Sequence, residues 1–255
     1  MDEKKVSKKT VAIVSAVVIL VAIVVGVLLF SKKEDGLSAT TIQVLRYVGG
    51  VRLSDEKGSV TLREKMLLHN GNIMETGADG SADLMLDATK AAGVDTDSRA
   101  VFTQEDKKIN IDLETGALYF YTTEKLGEEE LFDITTQTML IGVRGTSGYV
   151  IFNPLNGVSK LTLTSGEVHI KGTNPTTGGT NETTVHAGQS VQTYLYNYLK
   201  GSDSIRFFVN DITPEDVPVL LMQKIVENPA VFSSVSNETG WQQSSMEARA
   251  QAAQV

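Results

Sequence analysis

The chain has 255 residues, a formal net charge of −8 and no cysteine. Without cysteine there are no disulfides, thiolate metal sites or cysteine nucleophiles, so an ordinary hydrophobic core must hold the fold. The acidic balance excludes charge-driven affinity for nucleic acid or anionic lipid.

Met1–Thr10 carries Lys4, Lys5, Lys8 and Lys9 against Asp2 and Glu3, and is followed by an uncharged run, Val11–Phe30, VAIVSAVVILVAIVVGVLLF. A helix of that length, at about 1.5 Å per residue, covers roughly 30 Å, the thickness of a bilayer's hydrocarbon core. The run predicts a transmembrane helix. Four lysines before it, against Lys32 and Lys33 after it beside Glu34 and Asp35, place the N-terminus in the cytoplasm by the positive-inside rule. A cleaved signal peptide is the competing reading. Its apolar region is shorter, and the nearest cleavage candidate, Leu37-Ser38-Ala39, follows a charged stretch and offers Leu where a small residue is needed. The uncleaved anchor is the reading adopted, with Ser31–Val255 outside and carrying a charge of about −10. A cysteine-free external domain suits a bacterial envelope, so the sequons at Asn181 and Asn237 are read as chance.

Residues 31–39 form a charged, small-residue linker, and from Thr40 the pattern has period two. Ala82, Leu84 and Leu86 alternate with polar neighbours, as do Ile109, Ile111 and Leu113, then Leu161 and Leu163, then Val168 and Ile170. One apolar and one wet face per strand predicts antiparallel or solenoid-like β structure. Glycine-bearing turns at Gly71, Gly80, Gly116, Gly166 and Gly188 punctuate short strands and argue for a sandwich, barrel or roll. Gly71-x-Ile73, Gly116-x-Leu118 and Gly166-x-Val168 look like loose copies of one turn-and-strand unit, at unequal separations. The Gly/Thr-rich stretch Gly172–Thr184 reads as an exposed loop. Thr213-Pro214-Glu215-Asp216 is a helix start, predicting a helix to about Glu227 that stops before Pro229. It is apolar on most faces and needs cover. Trp241–Gln254 suggests a second helix.

The ordered series Gly50-Val51, Leu67-Leu68, Gly71-Asn72-Ile73, Thr76–Ala82, Leu113–Leu118, Val143-Arg144-Gly145-Thr146, Leu163–Val168 and Val185–Gln189 resembles the FecR-type family, named for the iron-dicitrate sensor of bacterial envelopes. The resemblance covers about Thr41–Leu195. It implies an all-β, roll- or solenoid-like extracytoplasmic module in a single-pass inner-membrane protein. The best-known members carry a folded cytoplasmic region that holds a sigma factor, whereas only Met1–Thr10 stands before this span. The resemblance therefore carries fold and topology, not anti-sigma activity.

Arg144-Gly145-Thr146 is the sharpest constellation. It is either a ligand or partner site, with Arg144 presenting its fork of donors, or a structural corner in which Arg144 pairs with a carboxylate and Gly145 makes a bulge; the structural reading is preferred. Tyr194, Tyr196 and Tyr198 line one face of Val191–Leu199, and Tyr119 and Tyr121 another strand. Such stripes stack on sugars or peptides, or cover a sheet beneath a helix, and cover is preferred. His69, His169 and His186 stand singly, without metal-ligand spacing. Gly93–Ser98 lacks the glycine and terminal glutamate of a calcium loop, and Glu128-Glu129-Glu130 reads as a solvated run. No hydrolase motif stands out.

The reading is thus a mainly β, FecR-type roll or solenoid with an N-terminal transmembrane helix and C-terminal helices. Its parts are a tail (1–10), a span (11–30), a linker (31–39), a β domain (40–199) and a helical segment (200–255). Function is expected to be non-catalytic: a membrane-anchored extracytoplasmic binding or sensory module, or alternatively a regulator signalling through its span. No cofactor is expected. Expected partners are the bilayer and another envelope protein or a cell-wall polymer, and not nucleic acid.

Overall fold

The computed structural model describes residues 39–194 and 205–252. The expected tail, span and linker lie outside these residues, except that Ala39, the last linker residue, already belongs to the first strand. Among the described residues no helix is long and apolar enough to cross a membrane.

Seventeen strands are described. The first nine are β1 (Ala39–Val48), β2 (Val51–Asp55), β3 (Gly58–Val60), β4 (Leu67–His69), β5 (Asn72–Thr76), β6 (Ser81–Met85), β7 (Lys90–Val94), β8 (Arg99–Glu105) and β9 (Lys108–Thr122). Then follow β10 (Leu131–Thr135), β11 (Met139–Val143), β12 (Ser147–Asn153), β13 (Val158–Ser165), β14 (Glu167–Thr173), β15 (Thr180–His186), β16 (Gln189–Tyr194) and β17 (Phe208–Asp211). Three helices close the chain: α1 (Val219–Glu227), α2 (Pro229–Thr239) and α3 (Gln243–Ala250).

The strands make one mixed hydrogen-bonded network folded into two layers at β9. The first layer runs β4-β1-β6-β7-β9-β12-β13-β16-β17, antiparallel throughout. The second runs β3-β2-β5-β8-β9-β10-β11-β14-β15, antiparallel except for β9–β10. Lys108–Thr115 of β9 pairs in the second layer and Gly116–Thr122 in the first. In β6, the first half of β9 and β14 the alternation seen in the sequence is the burial pattern, whereas in β13 Thr162 and Thr164 are buried along with Leu161 and Leu163. Leu84, Leu118, Phe120, Val150 and Leu161 from one layer meet Met74, Phe102, Ile111, Phe132 and Ile170 from the other in a single core. Burying each such side chain contributes about 1.5–3 kcal/mol.

Crossings between layers explain the glycine series. Positive φ marks the crossings at Gly49, Gly71, Asp97, Gly116, Gly145, Gly166 and Gly188. Two show why no side chain fits. At Gly116 (φ 87°) a β-carbon would stand 2.1 Å from Ser98 Oγ, and at Gly166 (φ 77°) 2.4 Å from Thr146 Cγ2. Adjacent corners nest on each other there, leaving no room for even a methyl group. The loose copies at Gly71, Gly116 and Gly166 share this role and have unequal spacing because the intervening excursions differ in length.

Three local expectations are corrected. Gly172–Thr184 is not a loop throughout: β14 runs on to Thr173, and β15 pairs with it from Thr173↔Thr180 to Glu167↔His186. As an outermost strand with only Val185 buried, β15 shows no apolar alternation to read. The helix expected from Thr213 is broken. Pro214–Asp216 forms a 3-10 turn, Val217 is extended (φ −79°, ψ 131°), and α1 begins at Val219. Pro218 is the cause, since it disfavours helical geometry at the preceding residue. Finally, α2 begins at Pro229, with the Asn228 side chain accepting from the N–H groups of Ala230 and Val231. That is a capping signal the sequence reading passed over.

The helices cover the outer face of the first layer. Val217, Leu221, Met222, Ile225, Val231, Val235 and Met246 pack on Ala117, Tyr119 and Tyr149. The apolar α1 thus finds its cover in the β structure.

Candidate functional site

The two outer faces differ in kind. Under α1 the covered face carries a polar clamp. Asp83 on β6 accepts hydrogen bonds from Lys224 Nζ (2.7 Å), Tyr119 Oη (2.6 Å) and Arg46 Nε (2.9 Å). Lys224 is 8% exposed and its ammonium also stands 5.6 Å from the Tyr119 ring centroid. Burial alone would raise the Asp83 carboxyl, but the bonds from Lys224 and Tyr119 and the charges of Lys224 and Arg46 outweigh it and hold it below the usual range. Burial, with Asp83 beside it, pushes the Tyr119 phenol well up, so it stays a donor. This clamp ties helix to sheet. Both Asp83 carboxylate oxygens are engaged within it.

A second internal tie holds the β9–β10 loop. Lys90, 3% exposed, pairs with Asp87 (2.5 Å) and with Glu130 (3.3 Å). Glu130 is therefore not simply a solvated member of its acidic run.

Among the described residues, the outer face of the second layer carries no helix. Strand register places Thr103, Asn110, Asp133, Gly142, His169 and Thr184 in one row across β8, β9, β10, β11, β14 and β15. Asn110 and Asp133 are half-buried cross-strand partners, and neither side chain makes a hydrogen bond among the described residues. Burial pushes the Asp133 carboxyl up, and the charge of Arg144 pulls it only partly back. Gly142 beside it carries no side chain; a β-carbon there would stand 3.7 Å from Asp133 Oδ1 and 3.9 Å from the His169 carbonyl oxygen, so the notch is open. A cleft of about 940 Å³ opens over this end of the row, walled by Thr41, Asn70 and Gln104 and floored by Asn110 and Asp133. The wall is braced internally: Gln104 Oε1 accepts from the Thr41 N–H (2.7 Å), and Asn70 Nδ2 donates to the Gln104 carbonyl (2.8 Å).

The residues singled out in the sequence separate accordingly. Gly145 (φ 86°) is the corner from β11 to β12, and Thr146 beyond it is fully buried. Arg144 is exposed at the rim and makes no ion pair within 4 Å among the described residues, although its charge acts on Asp133. Only Arg144 of the three therefore faces outward. Tyr194 lies at the end of β16, edge-on to the exposed Phe208 at 5.6 Å, and is not part of the cluster packed with the helices. Tyr196 and Tyr198 lie outside the described residues. The tyrosines under the helix are instead Tyr119, Tyr121 and Tyr149. Asp95, in the segment weighed as a calcium loop, is hydrogen-bonded by the Tyr149 hydroxyl and the Thr96 N–H. His169 and His186 pair with Glu182 (3.2 Å) and Glu167 (3.1 Å). Sequence reasoning missed Asp133 and Asn110. The available signal was two polar residues on outward positions of consecutive strands.

Fold and face together define a two-layered β module, helix-covered on one side and, among the described residues, without a helix on the other, where the central row is polar and Leu140 is exposed beside it. Residues 72–169 match the family model described as FecR protein, the family that the motif series resembles. The match runs from the start of β5 into β14; it contains the row from Thr103 to His169 and excludes the helices. No curated protein matches the chain. Two crystal structures, each described as a "putative anti-sigma factor" from Parabacteroides distasonis ATCC 8503, are similar to it. The first, at 1.65 Å, is 11% identical with a TM-score of 0.46, covering 59% of this chain and 63% of that one. The second, at 2.50 Å, is 10% identical with a TM-score of 0.37, covering 73% of this chain and 64% of that one. The chain thus spans less than two thirds of each.

Proposed function

We propose that the chain is a non-catalytic regulatory module of a bacterial envelope, anchored by Val11–Phe30 with its N-terminus cytoplasmic and its β domain outside, where it binds an envelope protein or cell-wall polymer. The FecR-family match over residues 72–169 carries this reading. The apolar run and its lysine-rich flank support the anchor and its orientation. The clamp at Asp83 ties α1 to the sheet and so supports a structural part for the helices, leaving recognition to the outer face of the second layer.

Short-range cross-linking in living cells, with capture through a tag at Val255, tests the reading. Recovery of a membrane-embedded kinase, protease or other regulator, or of cell-wall polymer, is the expected result. Recovery of the chain alone, or a tag that stays protease-protected in intact spheroplasts, would overturn it. If a regulator is recovered, substitutions in Val11–Phe30 decide whether the signal passes through the span or the span only anchors.

A further inference from the structure

We propose that the cleft over Asn110 and Asp133, with Gly142 next to Asp133 on the neighbouring strand, binds an uncharged oligosaccharide laid across the strands of the second layer's outer face. This deepens the reading of the module as a non-catalytic binder and rests on it. The row from Thr103 to Thr184 is polar at every position that has a side chain. With strands about 4.8 Å apart, its six positions span roughly 24 Å, the reach of a chain of sugars rather than one.

The chemistry at the floor suits hydroxyl groups. The Asn110 amide supplies two donors and an acceptor, and the Asp133 carboxyl supplies acceptors. Both stand half-buried with no protein partner among the described residues. Polar groups held in that state lose solvation without recovering hydrogen bonds until something binds. Gly142 places no side chain between a ligand and Asp133, and half-buried Leu131, which also lines the cleft, offers an apolar surface for a ring's C–H face.

Charge selects against an ionic ligand: Lys108 and Arg144 stand against Glu105, Asp106 and Asp133. A protein partner is disfavoured here as well. Its interface would draw on aromatic and other apolar anchors, and the row has none. Strand addition needs an unpaired edge, whereas β10 is paired on both sides, to β9 and β11.

The test is calorimetric titration of the full chain, held in a sugar-free zwitterionic detergent, with cellotetraose and chitotetraose. Saturable binding of at least one is expected, weakened about tenfold or more by Asn110→Ala and by Gly142→Val. Thermal unfolding of both variants should stay close to that of the parent, since both sites lie on the outward face. Failure of both sugars to bind at millimolar concentration, or affinity unchanged from the parent in both variants, would overturn the proposal. Cross-linking to an envelope regulator could still succeed in that event, so failure here is distinguishable from failure of the regulatory reading.

Discussion

The ring of Tyr119 lies across the backbone of Gly93: a β-carbon on Gly93 would stand 2.1 Å from Tyr119 Cε1. The two are register partners on β7 and β9, and Gly93 is in turn the partner of Asp83 on β6. Only because Gly93 has no side chain can the phenol pass over one strand and reach the carboxylate beyond. Gly93→Ala should therefore force Tyr119 off Asp83 and cost about 1–3 kcal/mol, the usual range for overpacking. In a Tyr119→Ala background the same substitution should cost little. Denaturant unfolding of the four proteins measures the coupling, and additive effects would show that the ring does not depend on the glycine.

Asp83 and Lys224 are 141 residues apart in sequence and 2.7 Å apart in space. Asp83→Ala leaves a nearly buried ammonium with only Glu227, at 4.0 Å, in reach. Breaking one side of a buried pair costs about 3–5 kcal/mol. Lys224→Met should cost less, since Asp83 keeps Tyr119 and Arg46. Amide hydrogen exchange should show the loss first in α1. The folded carboxyl titrates below its ordinary value, so its stabilisation is present above about pH 4 and is lost as pH falls further. Asp83→Asn should flatten that acid limb.

The corners rank themselves by what surrounds them. Gly166 and Gly188 have nearly equal φ, 77° and 78°. A β-carbon at Gly166 meets Thr146 Cγ2 at 2.4 Å and the Gly145 carbonyl oxygen at 2.7 Å, while at Gly188 the nearest atom is Thr239 Cγ2 at 3.6 Å. Gly188→Ala should cost only the left-handed strain, about 1–2 kcal/mol. Gly166→Ala should cost clearly more, because backbone cannot move aside cheaply. Equal melting shifts for the two would show that contact between corners does not matter.

Much of the β architecture was legible because each strand carries its own record. Ile109 and Ile111 are buried between the outward Lys108, Asn110 and Asp112 for a reason visible in five residues. The glycines were legible as turns but not as crossings between layers, since what a corner stacks on comes from another excursion of the chain. Pro218 was readable and was overlooked beside the stronger signal at Thr213-Pro214. The strand β15 was not readable, because an exposed edge selects no apolar alternation. The candidate site was least legible of all. Arg144 drew attention through its motif, while Asn110 and Asp133 meet only through the parallel pairing of β9 and β10, and no local pattern announces that pairing.

Asp133 offers the opposite pH behaviour to Asp83 within one molecule. Burial raises its carboxyl, with Arg144 only partly compensating. A raised folded value means that folding favours the protonated form. The contribution is complete below the unfolded-chain value of about 3.9 and is lost as pH rises through the folded value. At neutral pH the ionised side chain is therefore a liability to the fold, one a ligand hydrogen-bonding to it would offset. Asp133→Asn keeps the shape and removes the charge, so it should raise the melting temperature at pH 7. That gain should shrink towards nothing as pH falls below about 4. Thermal melts of parent and variant across this range measure the difference, and a shift that is the same at every pH would show that ionisation of Asp133 is not its cause.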